Sequence, residues 1–463
     1  MERRRGIPRG PQANPLSARG VGEAAGSPTG RPPTEAGLLR ALGVWGLAAS
    51  IVNITIGGGI FRAPGTEEVT GRLGAAAPIA YLVCAIAMGF VVMCFAEAGS
   101  RVALTGGPYA YVERAFGGFA GFAVGWLVWV TGTIATAAVA TIFTDGLQAM
   151  VPAMQGFPGR GAILVAIFAI VTTINVLGVK FGARLNMAST VIKLVPLGLL
   201  IIFGLLKLNP DNLSWGATPT VSEISRASVF LIFVYAGIES ALVPSGEVKD
   251  PGRTVPRAVF LALGLVAVFY MLVQIVAQSA LGPSLSPRGA PLADAANVVI
   301  GPWGATMLGL TVVLSTFGYL CGMILAIPRA LFAFARDGVL PATLAAVHPK
   351  YHTPWLAIIV QSGIALLLAL SSGFEPLVIL ANVAVLFAYL GCAAAAWQLR
   401  RKGIRDAESA TVKALPGSAL AAPLAAIVIV ALLASVTPRE WLVSAAVLAV
   451  GLLLYWFSTL RRK

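Results

Sequence analysis

Charge is scarce in this chain. Of its 463 residues, 11% are charged and 57% are hydrophobic, and the mean hydropathy is +0.85. A soluble domain carries about 25% charged residues. So little charge cannot cover a water-facing surface, which excludes an ordinary soluble protein and implies a chain that crosses the lipid bilayer many times. Cysteine and histidine are scarcer still. Cys84, Cys94, Cys321 and Cys392 lie far apart in apolar segments, with no CxxC pair. They read as small packing residues and leave the redox compartment open. His348 and His352 sit four apart in one loop, too few ligands for a metal site. No metal or cofactor is implied. HExxH, GxSxG and GxxxxGK[ST] are absent, and the chain has no Gly-Lys pair. These absences argue against a membrane-embedded enzyme and against nucleotide-driven work.

What the chain has instead is long apolar runs. A hydrocarbon core about 30 Å thick needs ~20 apolar residues per helix. Twelve candidate spans meet that need, at roughly 41–64, 75–98, 118–147, 161–178, 186–207, 226–244, 257–281, 297–326, 355–371, 376–398, 419–436 and 441–460. The net charge of +14 is explained by their alternation. With the N-terminus cytoplasmic, 25 of the 33 Lys and Arg residues fall on the inner side, seven fall outside or near outer ends, and Lys193 lies mid-span. That asymmetry follows the positive-inside rule and predicts both termini inside. The basic balance therefore calls for no nucleic-acid partner. Residues 1–38 are rich in Arg, Pro and Gly without an apolar run and read as a disordered basic cytoplasmic tail. Little mass outside the spans and no targeting signal point to a bacterial inner (plasma) membrane protein.

The first span is interrupted. From Ala41 to Ile56 is 16 residues, about 24 Å of helix. Then come Gly57, Gly58 and Gly59, followed by "IFRAPG". Glycine is a poor helix former, and three together invite unwinding. Unwound backbone at membrane depth is tolerated only where it lines a cavity or is buried in protein. Free N–H groups after such a break suit a carboxylate, and free carbonyls before it suit an ammonium. One break thus matches a zwitterion such as an α-amino acid. The alternative is close helix packing through glycine, which fits Gly117, Gly121 and Gly125 at four-residue spacing better than it fits "GGG". The sixth span, "FLIFVYAGIESALVP", is also interrupted, at Gly237, and carries Glu239. Paired broken segments in corresponding halves point to a transporter site between inverted repeats.

Four stretches resemble one family. "NITIGGGIF" resembles the first-span G-S-G-I-F motif of the amino acid–polyamine–organocation (APC) superfamily, with Gly58 in place of serine. "FVYAGIESA…GEVKDPGRTVPRA" resembles its sixth span and following loop. "AEAGSRVALTGGPYAYVERAFG" (96–117) and "PRALFAFARDGVLPATLAAVHPKYHTP" (328–354) resemble its second-to-third and eighth-to-ninth loops. The matches run in order over about 40–440. The resemblance implies an all-α membrane protein with twelve transmembrane helices: a five-plus-five inverted repeat, broken in helices 1 and 6, with two added C-terminal helices. The first repeat is expected at 39–208, the second at 225–398, and helices 11 and 12 with a short cytoplasmic C-terminus at 399–463. It further implies a secondary active transporter of amino acids working by alternating access, proton-coupled and sodium-independent. An exchanger of basic amino acids or polyamines is the alternative, with a non-transporting sensor behind it.

By the same resemblance the substrate carboxylate meets the backbone N–H groups of Gly57, Gly58 and Gly59. The ammonium meets carbonyls of both broken helices, at Thr55, Phe233 and Ala236. The missing motif serine removes one hydroxyl donor. Thr133 falls where some relatives select the substrate side chain; a helix-packing threonine is the competing reading. Lys193, in "STVIKLVPLG", is an ionisable residue deep in the fifth span, functional by default at that depth. Proton-coupled and ion-independent relatives carry a lysine there, cycling its charge or standing as a fixed cation. Snorkelling is the alternative. Glu239 has a counterpart with a proton-sensing role in exchangers of basic substrates; a helix cap is its plainer reading. Glu97, Asp145, Glu247 and Arg62 lie near span ends, as gating or solvated groups.

Overall fold

The computed structural model of the protein describes residues 43–102, 108–177, 182–238, 248–336, 338–351, 353–404 and 417–461. The tail 1–38, Glu239, Glu247 and His352 lie outside them. All the described residues belong to one compact unit, Leu38–Lys463. Their α-helices run in order as α1 (Val44–Thr55), α2 (Gly59–Arg62), α3 (Ala77–Arg101), α4 (Pro108–Phe116), α5 (Gly118–Met150), α6 (Phe157–Val176), α7 (Gly182–Leu206) and α8 (Val221–Tyr235). Then come α9 (Pro251–Leu281), α10 (Pro291–Val299), α11 (Pro302–Ala326), α12 (Pro328–Arg336), α13 (Trp355–Ser371), α14 (Phe374–Arg401), α15 (Ser418–Leu433) and α16 (Pro438–Arg461).

Among the described residues, seven helical stretches are long and apolar enough to cross a membrane. An eighth is the broken pair of α1 and the helical turns from Gly59 to Gly71, bent by 43°. Shorter apolar helices follow at Ile192–Leu206, Trp355–Ser371 and Ser418–Leu433. The helices start where local chemistry favours a start. Proline stands in the first turn of α9, α10 and α11, where its missing N–H costs nothing. α8 opens on a capping box: Thr220 Oγ1 accepts from Glu223 N at 3.2 Å, and Glu223 Oε2 accepts from Thr220 N at 2.8 Å. Those bonds to Thr220 hold the Glu223 carboxyl below the usual carboxylate range.

The sixth span was expected at 226–244. The helix instead begins earlier, at Val221, because of that cap, and stops at Tyr235. Ala236 is extended, with ψ 155°, and Gly237 has φ +119°, a conformation that L side chains rarely adopt. α1 likewise stops at Thr55, and α2 resumes at Gly59. Both interruptions read from glycine are present.

The start of α8 is also fixed from the side. Arg226 gives two parallel bonds to Glu440 of α16, at 2.9 and 2.8 Å. It gives a third to Glu68, at 3.3 Å, and a fourth to the Ser435 carbonyl, also at 3.3 Å. Glu68 in turn accepts from Arg72 at 2.8 Å. Bidentate geometry and 14% and 20% exposure of the Arg226 and Glu440 side chains make this unlike an ordinary surface pair. Arg226→Gln and Glu440→Gln are each expected to destabilise the protein by about 1–3 kcal/mol, because each leaves its partner short of a charge-assisted bond. The double variant is expected to cost little more than either single one. Melting curves of the four proteins in detergent measure that non-additivity.

Candidate functional site

The two breaks meet. A Cβ placed on Gly237 would lie 2.9 Å from Ile54 Cγ2 and 3.5 Å from the Ile54 carbonyl, so the sixth-span break packs directly on the end of α1. One side chain ties them together. The Tyr270 hydroxyl of α9 lies 2.7 Å from the Thr55 carbonyl and 2.9 Å from the Val234 carbonyl, sharing its proton between the last turns of both half-helices. Lys193 of α7 donates to the Asn53 carbonyl in the last turn of α1 and is buried. Asn382 of α14 donates to the Val229 and Phe230 carbonyls of α8, at 2.7 and 3.1 Å. Carbonyls in the last turns before both breaks are thus met by a phenol and an ammonium, and an amide braces α8 about a turn and a half before its end.

Beside the breaks lies a cavity of about 60 Å³. Thr55, Gly57, Gly58, Gly59, Phe233, Ala236 and Gly237 form its broken-helix wall, and Val128, Thr131, Gly132, Ala135 and Val139 of α5 face them. Tyr319, Met323 and Ile327 at the α11 end, with Asn382 and Val385 of α14, complete it. No carboxylate and no cationic side chain is among these residues. Two of the glycines are closely packed: a Cβ on Gly59 would stand 3.1 Å from the Phe233 ring, and one on Gly58 3.1 Å from Val139 Cγ1, so either neighbour would have to give by a few tenths of an ångström. Phe233 is braced in turn by Phe374, ring to ring at 5.9 Å.

The structure therefore brings together six of the residues picked from the sequence: Thr55, Gly57, Gly58, Gly59, Phe233 and Ala236. The Thr55 carbonyl already accepts from Gly57 N at 2.7 Å as well as from Tyr270, which uses both its lone pairs. The Thr55 hydroxyl, by contrast, is buried without a partner among the described residues, on a residue that lines the cavity. Thr133 does not line the cavity. Its hydroxyl closes back on the Trp129 carbonyl at 2.8 Å, and Thr131 is the α5 threonine at the wall. Lys193 lies next to the break rather than in the cavity. Asp145 pairs with Arg160 at 3.2 Å and Arg62 at 3.7 Å, while Glu97 pairs with Arg101 at 2.5 Å. Among the described residues no three His, Cys, Asp or Glu side chains group as a metal site. Tyr319, Thr131 and Asn382 went unpicked in the sequence. Asn382 had a signal, as the sole amide in the apolar run 377–397.

A family described as amino acid permease matches residues 42–457, with both breaks and the whole cavity inside the match. The chain belongs to the amino acid permease family. Among its relatives is the serine/threonine exchanger of Bacillus subtilis (strain 168), 25% identical over 82% of this chain and 88% of its own length. The methylthioribose transporter of the same organism is 29% identical over 79% and 82%. The mouse large neutral amino acids transporter small subunit 2 is 31% identical over 74% of this chain and 66% of its own. The family and these relatives are transporters, which points away from an enzyme and makes this permease-family chain a multi-pass membrane protein.

Because Gly237 combines a positive φ with contact on Ile54, Gly237→Ala is expected to lose about 1–3 kcal/mol of stability. It is also expected to weaken ligand binding at the cavity, as pushing Ile54 moves the end of α1. Melting temperature and the ligand-induced shift in it, measured side by side, check both.

Proposed function

We propose that this protein carries a neutral α-amino acid across a bacterial inner membrane by alternating access, driven by protons and independent of sodium. The observation that carries the reading is that two interrupted helices meet at a cavity whose described lining residues include no charged side chain. An amino acid brings its own two charges. Backbone N–H groups at Gly58 and Gly59 take the carboxylate, the Gly57 N–H being already given to the Thr55 carbonyl, and carbonyls at the breaks take the ammonium. What remains for the substrate side chain is a surface of Val128, Ala135, Ile327, Met323 and Val385, with Thr131, Tyr319 and Asn382 as polar points. That surface suits a side chain without charge. The names of the serine/threonine exchanger and the large neutral amino acids transporter agree with a neutral substrate. The basic-substrate exchanger gains nothing from these walls, since a buried guanidinium or ammonium would find no carboxylate among them.

Lys193 supplies the coupling in this reading. Its ammonium sits on the Asn53 carbonyl, where a fixed cation does what a bound sodium ion would otherwise do. Losing its proton would release the end of α1. Twelve spans with both termini cytoplasmic, and two five-helix repeats at 39–208 and 225–398, are the frame for that motion. Broken helices 1 and 6 are then the corresponding members of the two halves. Glu239 keeps its proposed proton-sensing place in the segment beyond Ile238.

Uptake of labelled serine, threonine and leucine into proteoliposomes tests this. With an inward proton gradient and no sodium, accumulation is expected for the wild type. In Lys193→Ala it is expected to fall by roughly ten-fold or more, with loss of its dependence on the gradient. Unchanged pH dependence in that variant would remove the coupling role. Uptake that competing arginine abolishes and serine leaves alone would overturn the neutral-substrate reading.

A further inference from the structure

One face of α9 carries more polar groups than the breaks require. Tyr270, Gln274 and Gln278 recur every four residues, so they stack on one side of the helix over about 12 Å. Tyr270 and Gln274 are fully buried and Gln278 is 2% exposed. Gln274 Nε2 donates to Thr70 Oγ1 at 3.1 Å, and Thr70 spends its own proton on the Pro64 carbonyl at 2.7 Å. Gln278 Nε2 donates to the Asn212 carbonyl at 3.2 Å, in a loop whose residues 207–211 are exposed. Each amide leaves its oxygen buried with no partner among the described residues. Turning the amides over does not cure this. Oε1 would then face the Asn212 carbonyl, or a Thr70 hydroxyl whose proton is already given away, acceptor against acceptor.

The Tyr81 hydroxyl of α3, the helix packed on α9, is also fully buried with no partner among the described residues. Tyr81 belongs to the same cluster: Tyr235 donates to its carbonyl at 3.2 Å, and the Tyr235 ring meets Tyr270 edge-on at 5.3 Å. Two buried acceptors on one face of α9 and a buried donor on the helix packed against it are what buried water satisfies, each water making about three hydrogen bonds.

We propose that this face of α9, with Tyr81 opposite, holds a file of water molecules running from the loop at Asn212 to the Tyr270 hydroxyl between the two breaks. None of Tyr81, Gln274 and Gln278 lines the cavity, so the file reaches the breaks by a path separate from the substrate's. A proton entering at the loop end passes along the file as another leaves at the Tyr270 end, beside the Thr55 and Val234 carbonyls. This second part rests on the proton-coupled reading above; the presence of water does not.

X-ray hydroxyl-radical footprinting of the full chain in nanodiscs tests the two parts separately. Radicals form from water in place, so side chains beside buried water are modified despite their burial. Tyr81, Tyr235 and Tyr270 are expected to react about ten-fold faster than Tyr389 and Tyr111, which are as deeply buried elsewhere. Gln274→Met and Gln278→Met, close in volume and without the oxygen, are each expected to bring the three tyrosines down to the Tyr389 rate. Wild-type tyrosines reacting no faster than Tyr389 would overturn the proposal without recourse to any variant. Labelled water with gradient-driven uptake unchanged in both variants would overturn the proton path and leave the hydration. Loss of coupling in Lys193→Ala bears on neither labelling result.

Discussion

A peptide group cannot be left unpaired inside a membrane, and the centre of this protein is arranged around two places where its helices leave peptide groups unpaired. Lipid offers no hydrogen bond. Every N–H and C=O freed at Gly57–Gly59 and at Ala236–Gly237 needs a partner from elsewhere in the chain. Tyr270 and Lys193 come from α9 and α7 to meet carbonyls beside the breaks, and Asn382 of α14 braces α8 about a turn and a half before its break. Each puts its polar head on backbone rather than on another side chain. Putting the breaks back to back is the economical solution, since one phenol serves both. The cavity lies where that mutual satisfaction ends.

The same constraint shapes the chemistry on offer. A wall of glycine, alanine, valine and aromatic rings contributes shape and little charge, so recognition falls to main-chain dipoles. Such dipoles are fixed by the fold and cannot titrate. In the proposed function such a site would read the groups common to all amino acids through the backbone and would discriminate among them through a few side chains on α5, α11 and α14.

Much of this was legible. Glycine runs and the positive-φ Gly237 announce themselves because the helix cannot continue through them, and charge alternation suggested the frame. Lys193 stood out as an ammonium among apolar residues. The rest needed three dimensions. Thr131 and Thr133 are equally polar and two residues apart, which puts them on opposite sides of a helix of 3.6 residues per turn. Only the rotation of α5 about its axis tells which one meets the cavity. Tyr319 is one of nine tyrosines, and nothing local marks it. The early start of α8 was readable in "TVSE", a capping box, but hydropathy alone places the start at Arg226. Asn382 was readable as well, as an amide where every neighbour is apolar.

The contacts of Arg226 change how the last two helices count. α15 and α16 follow the ten expected in the repeats, yet Ser435 and Glu440 between and within them grip the outermost turn of α8. α8 is therefore held at intervals along its length: at Arg226 by Ser435 and Glu440, at Val229 and Phe230 by Asn382, and at Val234 by Tyr270. Phe233 stands seven residues from the Arg226 grip, about 10 Å along the helix, so the last two helices anchor one end of an element whose other end puts a ring into the cavity wall.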